Sequence, residues 1–145
     1  MGTVLVTGAT SGIGEEFCWQ LAAAGHDLVL VARRDDTLRA LADSLANVAG
    51  VRAEVIAADL STDSGCARVA ARLDVGGPAD REKPDLSPVD LLVNNAGFGL
   101  GTDFLDNSLD NEINGLNVMV RAVMTLAHHA GISMRSRGRG AILNV

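Results

Sequence analysis

Short apolar runs alternate with longer segments of helical periodicity along this chain. Five of the runs are mostly unbroken apolar stretches, which is typical of parallel β-strands that are covered on both faces. The predicted strands are residues 3–7, 27–32, 51–57, 89–94 and 141–145. A helical pattern fills each interval between them, over residues 12–24, 35–47, 61–73 and about 108–129.

The residues at the ends of the predicted helices support these boundaries. The first helix ends at Gly25 and the second near Gly50, and glycine is the residue most typical of a helix C-terminus. Ser61 is predicted to be the N-cap of the third helix. His128 and His129 are expected to end the fourth helix, where cationic side chains are favourable.

The alternation of strands and helices predicts an α/β fold of the Rossmann type, with a doubly wound parallel sheet. Right-handed crossovers give the spatial strand order 3-2-1-4-5. The 145 residues, 48% of them hydrophobic, suffice for a single domain over residues 1–145. A complete α/β domain of this kind usually takes roughly 200–250 residues, so we expect this one to be truncated after strand five.

Charge and composition narrow the function classes. The net charge of −6 disfavours nucleic-acid and membrane-surface binding. No apolar run is long enough to span a bilayer, and a cytoplasmic location is expected. The two cysteines are far apart in the sequence and are expected to be reduced. Because the sequence shows no cluster of metal-ligating residues, no metal site is predicted. Two stretches are expected to be exposed loops, namely residues 75–88 with all three prolines and the turn with Arg135, Arg137 and Arg139.

A glycine-rich turn between the first strand and the first helix is the strongest candidate for chemistry. Residues 7–14 read Thr-Gly-Ala-Thr-Ser-Gly-Ile-Gly. Gly8 allows a tight turn, Gly12 lets the backbone approach a pyrophosphate, and Gly14 lets the helix pack on the strand. The amides around Thr10, Ser11 and Ile13 then face the phosphates with the positive end of the helix dipole. An ATPase-type phosphate loop would require a lysine that is absent here.

The end of the second strand bears on which dinucleotide is bound. A protein that binds NAD has an acidic residue about 20 residues after the glycines, and its carboxylate binds the ribose 2′-hydroxyl. Ala32 occupies that place, and Arg33 and Arg34 follow it. Because guanidinium groups attract a 2′-phosphate, the sequence favours NADP(H). The alternative is that these arginines are solvated and that Asp35 or Asp36 binds the ribose.

Polar residues also follow the third and fourth strands. Asp59 and Leu60 follow the third strand, and Asn94-Asn95-Ala96-Gly97 ends the fourth. Ligands of open α/β sheets bind beyond the carboxyl ends of the strands, and two adjacent amides are poor residues for an ordinary strand end. Together with the G-x-x-x-G-x-G loop, Asn94, Asn95, Ala96 and Gly97 give a pattern that resembles the classical short-chain dehydrogenase/reductase family.

The resemblance implies roles for individual residues. Asp59 would accept the adenine amino group and the Leu60 backbone would lie against the ring, although Asp59 could instead cap the third helix. Asn117 would shape the long helix so that a backbone carbonyl holds a water in the proton relay, which makes it the candidate catalytic residue. Asn114 is the alternative. The same helix commonly forms an oligomer interface in this family, so a homo-oligomer is expected.

The resemblance implies an NADP(H)-dependent oxidoreductase that transfers hydride between the nicotinamide and a small alcohol or carbonyl substrate. In this family the catalytic serine follows strand five, and a tyrosine and a lysine lie on the next helix. This chain has no tyrosine, and its one lysine is Lys83. Two other readings therefore stay open, a non-catalytic nucleotide-binding module and, more weakly, a methyltransferase.

Overall fold

The computed structural model describes residues 2–77 and 86–145 of the chain. The strands are β1 (Thr3–Thr7), β2 (Asp27–Ala32), β3 (Ala53–Ala57), β4 (Val89–Asn94) and β5 (Ala141–Asn144). All five are parallel and form one sheet in the order β3-β2-β1-β4-β5, which confirms the predicted fold and strand order.

Helices cover both faces of this sheet. They are α1 (Gly12–Ala23), α2 (Asp35–Ala49), α3 (Asp63–Leu73), α4 (Leu109–Leu116) and α5 (Val123–Arg137), with a short 3-10 turn at Phe104–Asp106. A π-helical segment, Asn117–Ala122, joins α4 to α5, so that the chain is helical from Leu109 to Arg137. None of the helices in the described ranges is long and apolar enough to cross a membrane.

Alternate residues of the central strands supply two cores. Val4 and Val6 of β1 pack on one face of the sheet with α1 and α2. Leu5, between them, packs on the other face with α3 and α5. Because both faces are covered, all five residues of β1 are buried, as expected for a central parallel strand. Each of the four residues of β5, by contrast, is exposed.

The start of α3 differs from the prediction. The N-cap is Thr62, whose Oγ1 accepts a hydrogen bond from the Gly65 N–H at 3.0 Å. Ser61 is therefore not the cap. Its N–H and its hydroxyl both donate to Asp59 Oδ1, at 2.9 and 2.7 Å. A carboxylate two residues before the serine favours this local turn over a helical start at residue 61.

The end of the long helix also differs from the prediction, because helix continues to Arg137 and stops at Gly138. His129 is therefore within α5, and its Nδ1 lies 2.8 Å from Oδ1 of Asp74, the residue that follows α3. The expected placement of His128 and His129 at a helix C-terminus is wrong. The two histidines suggested that the helix ends near residue 129, because cationic side chains are favourable at a helix C-terminus. Packing of Leu126, Ala130 and Met134 into the core instead stabilises the helix beyond that point.

The arginines that follow were expected in a solvated loop, and this too is corrected. Arg135 and Arg137 belong to the last turn of α5. Arg137 Nη2 donates to the Val89 carbonyl at 2.7 Å, so this side chain joins the helix end to the start of β4. Arg139 lies beyond the helix, with Nε 3.3 Å from Asp90 Oδ1. The predicted loop over residues 75–88 lies mostly outside the described residues, as does Lys83.

Candidate functional site

A cleft of about 530 Å³ opens at the carboxyl edge of the sheet, a size typical of small-molecule and cofactor sites. The βα loops after β1, β2, β3 and β4 contribute its walls, and the long helix covers one side. The predicted residues that line it are Gly8, Thr10, Ser11, Arg33, Arg34, Asp59, Leu60, Ala96 and Gly97. With Asn114 and Val118 of the long helix, the cleft brings together residues that are up to 110 positions apart in the sequence (Gly8 to Val118).

The glycine loop has the backbone that its sequence predicted. Gly8 (φ +67°) and Gly12 (φ +54°) adopt left-handed conformations that disfavour other residues. A Cβ on Gly14 would lie 2.1 Å from the Gly8 carbonyl oxygen, so only glycine allows α1 to pack this closely on the turn. A Cβ on Gly12 would meet no atom within 4 Å. Gly12 therefore borders open space, and Gly14 is a packing residue.

The N-terminus of α1 is left without a side-chain cap. Ser11 has the extended backbone of an N-cap residue, but its hydroxyl accepts no hydrogen bond from the first turn. Ile13, in that turn, is 61% exposed. The first N–H groups of a helix have no partner within the helix, and here they are free to bind an anion supplied by a ligand.

The Thr7 hydroxyl joins the ends of β1 and β4. Thr7 Oγ1 accepts hydrogen bonds from the N–H groups of Asn95 and Ala96, at 2.9 and 3.0 Å. Asn95 Nδ2 in turn lies 3.2 Å from the Thr7 carbonyl and 3.3 Å from the Gly8 carbonyl. Asn95, which does not itself line the cleft, therefore holds the glycine turn in place. The sequence signal for Thr7 was its place immediately before the first glycine.

The Asn94 side chain links β4 to β5. It is 3% exposed, and its Nδ2 donates to Asn144 Oδ1 of β5 at 3.0 Å. Neither Asn94 nor Asn95 lines the cleft, whereas Ala96 and Gly97 do. The two adjacent amides thus hold the strand ends in place, and the two small residues after them leave room at the surface of the cleft.

Two arginines give the cleft a positive side. Arg33 and Arg34 are exposed, and neither side chain forms a salt bridge or a hydrogen bond within the described residues. The Asp35 carboxylate forms a salt bridge with Arg39, one turn further along α2, with Oδ2 2.6 Å from Arg39 Nε. Asp36 accepts the N–H of Thr37 at 2.8 Å. Neither aspartate lines the cleft.

Asp59 follows the neighbouring strand β3 and lines the same cleft as these arginines. The hydrogen bonds from the Ser61 hydroxyl and N–H, with a smaller contribution from the Arg33 charge, hold the pKa of Asp59 below its usual value of 3.8. The carboxylate is therefore ionised at neutral pH and can accept a hydrogen bond from a ligand. Leu60, which is 7% exposed, lines the cleft beside it.

A family model described as short chain dehydrogenase matches residues 2–145. The chain belongs to the short-chain dehydrogenase family. It is 31% identical over 145 residues to the NADP-dependent 3-hydroxy acid dehydrogenase of Schizosaccharomyces pombe, an alignment that covers 99% of this chain and 52% of that protein.

Solved structures with a similar fold support this assignment. A short-chain dehydrogenase from Sphingobium yanoikuyae in complex with NADPH superposes with a TM-score of 0.89 at 35% identity, covering 99% of this chain and 52% of that one. The L-sorbose reductase of Gluconobacter frateurii, complexed with NADPH and L-sorbose, gives 0.86 at 31% identity, with 99% and 51% covered. This chain thus spans about half the length of these relatives.

The two candidate asparagines on the long helix lie in different places. Asn117 is half-buried and begins the π-helical segment. Asn114, one turn earlier, lines the cleft together with Val118. A π-helical turn displaces backbone carbonyls from the regular hydrogen-bonding pattern and often marks a functional site. Sequence reasoning missed four lining residues that are apolar: Val31, Ala58, Phe98 and Val118.

Proposed function

We propose that this chain forms the NADP(H)-binding part of an oxidoreductase that acts on an alcohol/carbonyl pair. One observation carries the proposal. The uncapped start of α1 and the unpaired guanidinium groups of Arg33 and Arg34 open into the same cleft. Such a cleft is complementary to a ligand that carries both a pyrophosphate and a further phosphate.

Each wall of the cleft fits one part of NADP(H). The N–H groups of Thr10, Ser11, Gly12 and Ile13 would bind the pyrophosphate. Arg33 and Arg34 would bind the 2′-phosphate, and Asp59 with Leu60 would bind the adenine. Ala96 and Gly97 would border the ribose on the nicotinamide side, with Gly8, Gly14, Asn94 and Asn95 holding the loops that shape the site. When bound, NADP(H) supplies the hydride chemistry.

Asn117 is our candidate for a residue of the proton relay. A π-helical segment begins at Asn117. We expect it to leave a backbone carbonyl outside the regular hydrogen-bonding pattern near the cleft, where that carbonyl would hold a water molecule. This supports Asn117 over Asn114, whose position in the cleft wall suits contact with the ligand itself.

The names of the relatives support the reaction class. One relative is a dehydrogenase of 3-hydroxy acids and another reduces L-sorbose, so both interconvert an alcohol and a carbonyl. We extend that class, without a specific substrate, to the protein that contains this chain. A cytoplasmic location stays a prediction.

We also propose a homo-oligomer that forms through the long helix. Ile113, Leu116, Val120 and Met124 on α4, the π-helical segment and α5 are 45–66% exposed. A row of large apolar side chains at helical spacing is typical of a helix that packs against a partner.

The second candidate is a nucleotide-binding module without turnover. The chain contains no tyrosine, and no lysine lies among the described residues, so the cleft holds neither of these common proton donors. Assays of the expressed protein for NADPH oxidation with a panel of carbonyl compounds distinguish the two. Turnover excludes the module, and tight binding without turnover favours it.

Titration calorimetry with NADPH and NADH tests the cofactor proposal. The wild-type chain should prefer NADPH, and Arg33→Ala or Arg34→Ala should weaken NADPH binding about tenfold or more, because a charge-assisted hydrogen bond contributes about 1.5–3 kcal/mol. NADH binding should hardly change. Arg39→Ala, which removes an arginine paired with Asp35 on α2, is the matched control and should affect neither cofactor. Equal affinity of the wild type for NADPH and NADH would contradict the proposal.

A further inference from the structure

Two polar bridges join α3 to the long helix, one near the cleft and one far from it. Near the cleft, the Arg121 guanidinium of the π-helical segment contacts the Asp63 carboxylate, and its Nη2 donates to the Ser61 carbonyl at 2.9 Å. Far from it, His129 of α5 contacts Asp74 at the end of α3, at 2.8 Å. Both bridges border a groove of about 330 Å³ between the helices. Only the first reaches the loop that carries Asp59.

That loop has three successive carbonyls, and each accepts a hydrogen bond. The Asp59 carbonyl accepts from the Thr62 hydroxyl at 2.8 Å. The Leu60 carbonyl accepts from the Cys66 thiol at 3.3 Å. The Ser61 carbonyl accepts from Arg121. The first two donors belong to α3 and its cap, so Arg121 is the donor that comes from a different wall of the cleft.

A short chain of hydrogen bonds leads from Arg121 to the cleft. Arg121 holds the carbonyl of Ser61, and the N–H and hydroxyl of the same serine hold Asp59 Oδ1 at 2.9 and 2.7 Å. Asp59 lines the cleft. The orientation of its carboxylate thus depends on where Ser61 is held, since both donors to Oδ1 are on that residue.

The other side of Arg121 leads to the cleft as well. Val118, one helical turn before it in the π-helical segment, lines the cleft. The guanidinium group therefore connects the wall formed by the long helix to the wall formed by Asp59 and Leu60.

We propose that Arg121 is a positioning residue for the adenine end of the cofactor, acting through Ser61 on Asp59. The inference rests on the proposed function, because it takes the Asp59 wall to be the adenine side. Arg121 touches no ligand itself. Its loss should weaken binding of the adenosine half of NADP(H) and leave binding of the nicotinamide half unchanged.

Calorimetric titrations of the 145-residue chain with two half-ligands test this. The probes are adenosine 2′,5′-bisphosphate and nicotinamide mononucleotide. Arg121→Gln should weaken binding of the bisphosphate about tenfold and that of the mononucleotide less than about twofold. Arg121→Lys, which keeps the charge but lacks the planar fork, should recover part of the loss. His129→Gln breaks the distant bridge and should change neither affinity.

The outcomes separate this inference from the proposed function. If the wild-type chain binds no bisphosphate, the proposed function fails and the inference fails with it. If the wild type binds and Arg121→Gln binds equally well, the inference alone is wrong. It is also wrong if His129→Gln weakens bisphosphate binding as much as Arg121→Gln, because helix packing then explains the effect. Should Arg121→Gln fail to fold, wild-type affinity of Arg121→Lys would contradict the inference.

Discussion

Two βα loops line the same cleft and are built in opposite ways. The loop between β1 and α1 (residues 8–11) leads into a helix without a side-chain cap, and Gly12, the first residue of that helix, faces open space. The loop between β3 and α3 (residues 58–62) leads into a helix that Thr62 caps. In that second loop, side chains of the protein itself bind the three carbonyls of residues 59–61 and one carboxylate oxygen of Asp59.

The difference shows how a fold separates a binding loop from a wall. Free N–H groups at a helix start are costly unless water, a side chain or a ligand binds them. In the second loop the protein supplies the partners, so the loop is held by the protein's own hydrogen bonds. In the first loop the partners are missing, and on the proposed function the cofactor phosphates supply them.

The largest effect expected on this comparison comes from Gly14→Ala. The new Cβ would lie 2.1 Å from the Gly8 carbonyl oxygen and 2.4 Å from Asn95 Nδ2, so the backbone of the first loop must move. We expect a loss of about 1–3 kcal/mol in the free energy of unfolding and loss of measurable NADPH binding. Thermal or urea unfolding measures the free energy of unfolding, and titration calorimetry measures the affinity for NADPH.

Gly131→Ala is the matched control for this change. Gly131 lies within α5, and a Cβ there would meet no atom within 4 Å. Alanine should stabilise the helix by about 0.5–1 kcal/mol and leave NADPH binding as it is. Wild-type NADPH affinity in Gly14→Ala would show that the first loop does not bind the phosphates.

A smaller effect comes from removing a hydroxyl at each helix start. Thr62→Ala removes the bond from the Gly65 N–H (3.0 Å) and the bond to the Asp59 carbonyl (2.8 Å). The free energy of unfolding should fall by about 1 kcal/mol. Ser11→Ala removes no capping bond and should change stability by a few tenths of a kcal/mol at most. Urea unfolding without ligand measures both changes. An equal loss in the free energy of unfolding in the two variants would contradict the distinction between the capped and the uncapped helix start.

The smallest effect is a pH dependence confined to the second loop. The pKa of Asp59 is lowered in the folded chain, chiefly by the Ser61 hydroxyl and N–H. A carboxyl with a lowered pKa stabilises the fold fully above its unfolded pKa near 4 and loses that contribution as the pH falls through the folded value. Because Asp59 is exposed, the loss should stay below about 1 kcal/mol.

Unfolding measured between pH 7 and pH 3 checks this, with Asp59→Asn as the reference. The wild type should lose more stability than the variant in the acid part of that range, and the two curves should run parallel above pH 5. A larger acid loss in Asp59→Asn would contradict the assigned sign. Residues 7–14 contain no acidic residue, so the first loop has no such dependence of its own.

The sheet and the glycine loop were predictable from the sequence because local signals and tertiary structure agree there. The apolar residues of β1 are buried on both faces, and Gly8, Gly12 and Gly14 have the backbone or packing that the G-x-x-x-G-x-G spacing requires. The lining positions of Arg33, Asp59 and Gly97 followed from one rule, that ligands bind at the carboxyl ends of parallel strands.

The errors arose where contacts between distant residues decide the outcome. Ser61 and Thr62 are both good N-cap residues, and the carboxylate of Asp59 engages the first and leaves the second to cap. The helix beyond His129 is stabilised by core packing of Met134 and by the contact of Arg137 with the Val89 carbonyl. The role inferred for Arg121 depends on a carbonyl 60 residues away, and no local pattern marks it.

The most direct test of the account is a titration of the isotope-labelled chain with NADPH, followed by the chemical shifts of the backbone amides. The N–H groups of Ser11, Gly12 and Ile13 at the uncapped start of α1 should shift most, together with residues beside Arg33. Those of Asp63, Ser64 and Gly65 at the capped start of α3 should shift least. Larger shifts at the start of α3 than at the start of α1, or no shift at Gly12 under saturating NADPH, would contradict the assignment of the glycine loop as the phosphate site.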